Sequence, residues 1–408
     1  MMKQFLSLLL LTLTTTAYSQ QTVSVRVSNP STTARSDEPV VIPLNGYGDI
    51  RSALVTVDGQ EIPCQLDDLN QDETFDELCF LTDLKGKETK DYEVKLFDEG
   101  EPRPYPARVF AEMLIRNDKV KEKNKHNNFV ESITVRGDCA NSYNIQHHHG
   151  VDFESELNGI RIYFDKRQTL DLYGKFKKRL ELEATQFYTQ PDQKAEGYGD
   201  DVLWVGNTFG LGAFRGWDGK EPTMIDPVRS RTQRVISYGP LRTIVELFDR
   251  GWLAPSPLTS HPSPLNMTIR YTQYAGHRDT DVDVFFNKNV SDRKFSTGII
   301  NVKGSEEFSD QKGLRACWGT DWPSGDTINF KRETVGLGIC VPLKYIKSEE
   351  PANKDNYAFV VGTDTDRLSY KVIYCSDNEI FGYHSAKEWF EFLKAWKKEV
   401  EKPIVVTY

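Results

Sequence analysis

His147, His148 and His149 stand together in a chain that holds only 7 histidines. Imidazole is the side chain whose proton moves near neutral pH, and it is also a common metal ligand. In extended chain, alternate side chains share a face, so His147 and His149 point one way and His148 the other. Just beyond, GIRIYFD (Gly159 to Asp165) alternates Ile160, Ile162 and Phe164 with Arg161, Tyr163 and Asp165. That is the period of a strand with one apolar and one polar face. Imidazoles beside such a strand are candidates for proton transfer or metal ligation; a solvated loop is the competing reading.

A second stretch with chemical potential is GYGDDVLWVGNTFGLGAFRGWDG, Gly197 to Gly219. Glycines recur through it, so the backbone turns tightly or something approaches it closely. It lacks the GxxxxGK[ST] pattern of a phosphate loop. Tyr198, Trp204, Arg215, Trp217 and Asp218 are interleaved with the glycines. Aromatic faces stack on sugar rings, and Arg grips a carboxylate with two N–H groups. A loop that packs its own aromatics explains the same pattern. Arg229, Arg231, Arg234 and Arg242 follow, with Arg229 and Arg231 at strand spacing. The remaining histidines, His126, His261, His277 and His384, are scattered and receive no role.

The loop DDLNQDETFDEL spaces Asp68, Asn70, Asp72 and Asp76 as oxygen ligands are spaced around calcium. Glu73 stands where a glycine would ease the turn, and Cys79 where a bidentate Glu would close the shell. An acidic turn without metal fits equally, and a calcium here would be structural. No cofactor is required by this reading. There is no G-x-S-x-G elbow, HExxH or evident reactive cysteine.

The elements that must position these residues are strands. VSVRVSN, EPVVIPL, a hairpin around Asp58-Gly59, FLTDL and DYEVKLF predict a small β unit over 20–105. The Pro-rich EGEPRPYP (Glu99 to Pro106) separates it from 106–408. There about a dozen alternating runs, KRLELEATQFY among them, predict an all-β domain. It exceeds an ordinary sandwich of about 100 residues, so large stacked sheets are expected, and no blade-length repeat supports a propeller. One helix is predicted near the end. Ser385 to Glu388 is a capping box, Trp389, Leu393, Trp396 and Val400 form its apolar stripe, and Pro403 stops it.

The chain has 408 residues, 38% of them hydrophobic and 12% aromatic, enough for a real core. A formal net charge of −9 argues against nucleic acid as partner. Lys3, then FLSLLLLTLTTTA and Ala17-Tyr18-Ser19, predict a signal peptide cleaved after Ser19. A periplasmic or secreted protein without membrane insertion is expected. All 6 cysteines lie beyond that point; buried thiols are favoured, with Cys64 and Cys79 the pair best spaced for a bridge.

The two long motifs, HHHGVDFESELNGIRIYFDKRQTLDLYGK and YGDDVLWVGNTFGLGAF, with VSNPSTTARSDEPV and the Asp-rich loop, resemble the exported bacterial proteins of domain-of-unknown-function family 4861. The likeness covers the mature chain. The resemblance implies a carbohydrate-active exported enzyme with a galactose-mutarotase-like supersandwich. The member of known activity is an oligosaccharide dehydratase of ulvan breakdown, which removes water from a non-reducing-end uronic acid and leaves a 4,5-unsaturated sugar.

Such an elimination needs a base for the C5 proton, a positive group at the C6 carboxylate and an acid for the departing 4-hydroxyl. His147, His149 and Tyr198 are the candidates for proton transfer. Arg161 or Arg242 would clamp the carboxylate, and Trp217 would stack on the ring. A histidine-bound metal is an alternative clamp. A lyase expelling a sugar from the same C4 position, or a non-catalytic glycan-binding protein, are the other readings. The expected partner is a uronic-acid-containing oligosaccharide.

Overall fold

The alternating runs become strands, and their apolar faces meet in one large core. The computed structural model describes residues 20–116, 128–256, 262–328 and 330–408. The expected leader, His126 and His261 lie outside them. The largest sheet has nine antiparallel strands. At its centre Asp279–Phe286 is flanked by Leu265–Tyr274 and Arg367–Ser376, Arg242–Trp252 lies beyond Leu265–Tyr274, and Ser132–Arg136 and Glu306–Ser309 form its edges. Two five-stranded sheets join it in a common core. One runs Asp200–Asp201, Leu170–Gly174, Gly159–Tyr163, Gly150–Ser155, Val109–Glu112. The other runs Pro222–Thr223, Arg215–Trp217, Phe295–Ile300, Asn356–Val361, Ile346–Glu349. Phe153, Ile160, Ile162 and Leu172 of the first meet Val245, Ile269 and Val284 of the largest, and Phe295, Ile299 and Phe359 of the second. The expected all-β stacked-sheet architecture is what forms.

The N-terminal residues build two small sheets around their own core of Val25, Val27, Val40, Ile42, Val55, Phe80 and Val94. The C-terminal strand Val405–Thr407 returns to pair with Gln20–Ser28, so this unit draws on both ends of the chain. The predicted helix spans Ala386–Val400, its N-cap Ser385 accepting from the Glu388 amide. It buries Trp389, Leu393 and Trp396 against the largest sheet, where Trp389 Nε1 donates to the Leu337 carbonyl at 3.2 Å. No helix among the described residues is long and apolar enough to cross a membrane. All six cysteines are free; Cys139 is exposed and the others are buried. Cys64 and Cys79 lie on neighbouring strands, but Cys64 registers with Phe80, not with Cys79.

One predicted strand is not a strand. In KRLELEATQFY, Leu182–Thr185 is a short helix. The buried Glu154 carboxylate accepts from the Glu181 and Leu182 amides, at 2.8 Å from each, and the segment turns there. A long-range cap thus overrides local alternation.

The small unit docks through charged groups. Arg108 holds Asp37 and Glu156, and His277 Nε2 meets the Asp37 carbonyl at 3.0 Å while Nδ1 lies 3.1 Å from Asp279. Burial pushes His277 down, but the Asp279 bond and charge outweigh it, with Lys371 lowering and Glu38 raising, and the result is about 9. A raised folded-state value stabilises fully below the ordinary value of 6.5 and is lost as pH rises through about 9. The melting temperature is therefore expected to fall by a few degrees across that window, and His277→Gln is expected to flatten the fall. Melting curves at stepped pH check this; equal slopes for both proteins would remove His277 as the cause.

Candidate active site

Register builds the site. In the sheet carrying GIRIYFD, Glu112 pairs with Asp152, Asp152 with Arg161, and Arg161 with Asp171. Residues in register on adjacent strands share a face, so these four form one polar row across four strands. All four are buried. The segment Lys175 to Gly199 is pinned beside this face by Lys175, whose ammonium sits 2.5 Å from Glu154 and also donates to the Ser155 and Arg179 carbonyls. Burial raises Glu154 to about 7, against the pull of Lys175.

Arg161 is buried and engaged. It donates to Asp171 at 2.5 Å and to the Tyr188 hydroxyl at 3.0 Å, lies 3.4 Å from Asp201, and covers the Phe187 ring at 4.0 Å. Burial and the Asp171 charge push Asp201 well above the usual carboxylate range. Arg161 therefore organises the row: its guanidinium is buried and both terminal nitrogens donate to groups of the protein. Tyr163 donates to Asp171 at 2.6 Å.

The three histidines lie in a turn and not in extended chain, so strand alternation does not apply to them: His148 is buried, and His147 and His149 are half-buried. His149 stacks on Tyr143 with ring centroids 3.9 Å apart and planes 6° from parallel. Its Nδ1 lies 3.1 Å from the Tyr143 carbonyl, an acceptor, so Nδ1 carries the proton and Nε2 the lone pair. Burial, with Arg161, His148 and Arg116 adding to it, lowers His149 to about 4. Its backbone is left-handed, φ +74°, a strained conformation for a residue with a Cβ. Tyr188 meets the His149 ring edge-on at 6.4 Å, and Arg167 covers both Tyr143 and Tyr163 at 4.7 Å. The His147 ring is edge-on to His148 at 5.8 Å.

His148, which sequence reasoning turned away from the chemistry, has the densest polar surroundings. Its Nε2 is 3.0 Å from Asp152 Oδ2, and Glu112 adjoins both. Burial, then the Asp152 and Glu154 charges, push Glu112 well above the carboxylate range. Glu112 and Asp152 were missed because only the fold brings them together; the one local signal was Asp152, four residues after His148.

The other sequence candidates are placed apart from this cluster. Tyr198 lies beneath Arg179, 3.8 Å from guanidinium carbon to ring centre, and lines a cavity of about 440 Å³ with Asp200, Asp201, Phe330 and Glu333. His147 and His149 do not line that cavity; Asp201, Arg161 and Tyr188 link it to His149 through successive contacts. Arg242 is a correction: its guanidinium is buried against Asp67 and Glu77, each at 2.7 Å, where the small unit meets the large one. Trp217 is half-buried in the sheet with Pro222–Thr223, outside the polar row's sheet. Arg231 is likewise committed, to Asp249 at 3.0 Å. Trp204 is exposed and borders a neighbouring cavity of about 390 Å³ with Asp321, Lys303 and Lys354.

The Asp68, Asn70, Asp72 and Asp76 loop binds itself. Asp68 accepts from the Gln71, Asp72 and Glu73 amides, Asp72 from Thr74, and Asp76 from Leu69 and Asn70. These carboxylates have the loop's own N–H groups as partners, the arrangement of an acidic turn. Two of the glycines serve packing: a Cβ on Gly199 would meet the Gly174 carbonyl at 1.8 Å, and one on Gly210, at φ +56°, the Leu170 carbonyl at 2.2 Å.

Stacked antiparallel sheets carrying a buried polar row beside a strained histidine define an all-β supersandwich with one dense ionisable cluster. Over residues 27–406 the chain matches the family described as Domain of unknown function (DUF4861), and it belongs to that family. No curated protein matches it. Among solved structures it is similar to an alpha-mannosidase from Enterococcus faecalis V583, at 10% identity and TM-score 0.47, over 95% of this chain and 46% of that one. A glycosyl hydrolase family 38 protein from Enterococcus faecalis gives 10% identity and TM-score 0.48, over 94% and 47%. The chain thus spans less than half the length of either.

Proposed function

We propose that this protein is an exported carbohydrate-active enzyme that eliminates water across C4 and C5 of a non-reducing-end uronic acid. The observation that carries the reading is His149, fixed in one tautomer by the Tyr143 carbonyl and stacked on the Tyr143 ring, with phenols and guanidinium groups around it. Its Nε2 lone pair is the base for the C5 proton. Arg116, exposed and near enough to lower His149's proton affinity, is the group for the C6 carboxylate. Arg161 and Arg242, the sequence candidates for that role, are each held by carboxylates of the protein. Tyr188, whose hydroxyl accepts from Arg161 and whose burial raises its pKa, stays protonated and supplies the acid for the departing hydroxyl. Trp204 offers an exposed ring face for a further sugar.

The test is a panel of uronic-acid-terminated oligosaccharides, followed by mass and ultraviolet absorbance together. The expected product has lost one water, has kept its length and absorbs in the unsaturated-uronate band. Two shorter products would make the protein a sugar-expelling lyase, and binding without absorbance a glycan-binding protein. Neither binding nor turnover on any uronate would sink the proposal.

A further inference from the structure

We infer that Glu112, His148 and Asp152 form a binding site for a divalent transition-metal ion. One ligand atom from each lies within 4.8 Å of the others. All three residues are fully buried. Neither carboxylate oxygen of Glu112 or of Asp152, and neither ring nitrogen of His148, has a hydrogen-bond partner. The 3.0 Å approach of His148 Nε2 to Asp152 Oδ2 is close in distance but not directed along an N–H bond. Buried polar groups are almost always paired, so six such atoms together point to something that binds them.

The chemistry selects a cation. Two carboxylates and an imidazole present acceptors almost throughout, a proton held on one carboxyl serves a single acceptor, and one water brings only two more. Two carboxylates and a neutral imidazole instead balance a doubly positive ion. Arg161, the nearest fixed cation in the row, stands in register with Asp152 but turns to Asp171 and Tyr188. Imidazole with carboxylate suits zinc, manganese or iron(II), whereas calcium and magnesium take oxygen ligands. An ion here ties the Val109–Glu112 strand to the Gly150–Ser155 strand and to the turn that carries His147 and His149. It would hold that turn in place whatever the substrate, so the inference stands apart from the proposed reaction.

The test strips the mature protein with a chelator, refills it with zinc or manganese, and reads bound metal by elemental analysis and stability by melting. The expected result is one equivalent per chain, with the stripped protein melting several degrees lower and recovering with zinc or manganese but not with calcium or magnesium. Asp152→Asn and His148→Ala are expected to cut retained metal at least tenfold. Should those variants not fold, the wild-type refilling decides alone. The site is overturned if the refilled wild-type protein holds less than a tenth of an equivalent. Full metal retention in folded variants, or retention of calcium only, overturns it too.

Discussion

Replacing His149 with glycine is expected to lower kcat on a uronic-acid oligosaccharide by about 10²–10⁴-fold, the usual worth of a positioned base. The melting temperature is expected to hold or rise. The two effects part because His149 sits at φ +74°, which glycine adopts without strain while histidine does not. A residue kept there for packing would lose stability when removed; one kept for its imidazole would lose turnover. Loss of the Tyr143 stack offsets part of the relief. Steady-state kinetics beside a thermal melt separate the cases. Wild-type kcat in the glycine variant would falsify the assignment of His149 as base.

Arg242→Ala is expected to destabilise the protein by about 3–5 kcal/mol, the cost of leaving a buried charge unpaired. Asp67 would remain buried, with Gln65 Nε2 at 2.7 Å and the Ser237 hydroxyl as its polar company. Gln65 meanwhile accepts from the Leu241 amide at 2.7 Å and donates to the Arg242 carbonyl at 3.0 Å, so the knot spans both units. Arg242→Lys, which keeps the charge but loses the fork to Asp67 and Glu77, should fall between alanine and wild type. Urea unfolding followed by fluorescence measures the difference. A shift below about 1 kcal/mol for alanine would mean that the junction tolerates an orphaned carboxylate.

Much of the scaffold was legible from residue order. Period-2 alternation marked the strands, and the Ser385 cap with its Trp389, Leu393 and Trp396 stripe marked the helix, because both patterns are local. The polar face of GIRIYFD was legible for the same reason. What that face meets was not. The register that puts Glu112 beside Asp152 joins segments 40 residues apart in the chain, and the hairpin then sets Asp152 beside Arg161. Arg161 and Arg242 looked like free clamps because a sequence does not show which carboxylates fold against them. Glycine density between Gly197 and Gly219 suggested an approaching ligand, but at Gly199 and Gly210 the close approach is by neighbouring backbone. The Asp-rich loop had metal spacing, yet its own amides take the oxygens.

The pairing of Val405–Thr407 with Gln20–Ser28 has a consequence for how the molecule is made. The edge of Gln20–Ser28 that Val405–Thr407 covers stays open to foreign strands until that late segment is in place. Closure waits for Val405–Thr407, which then fastens the early strand like a buckle. A partner that shields the opening strand until then would guard the newborn chain from aggregation.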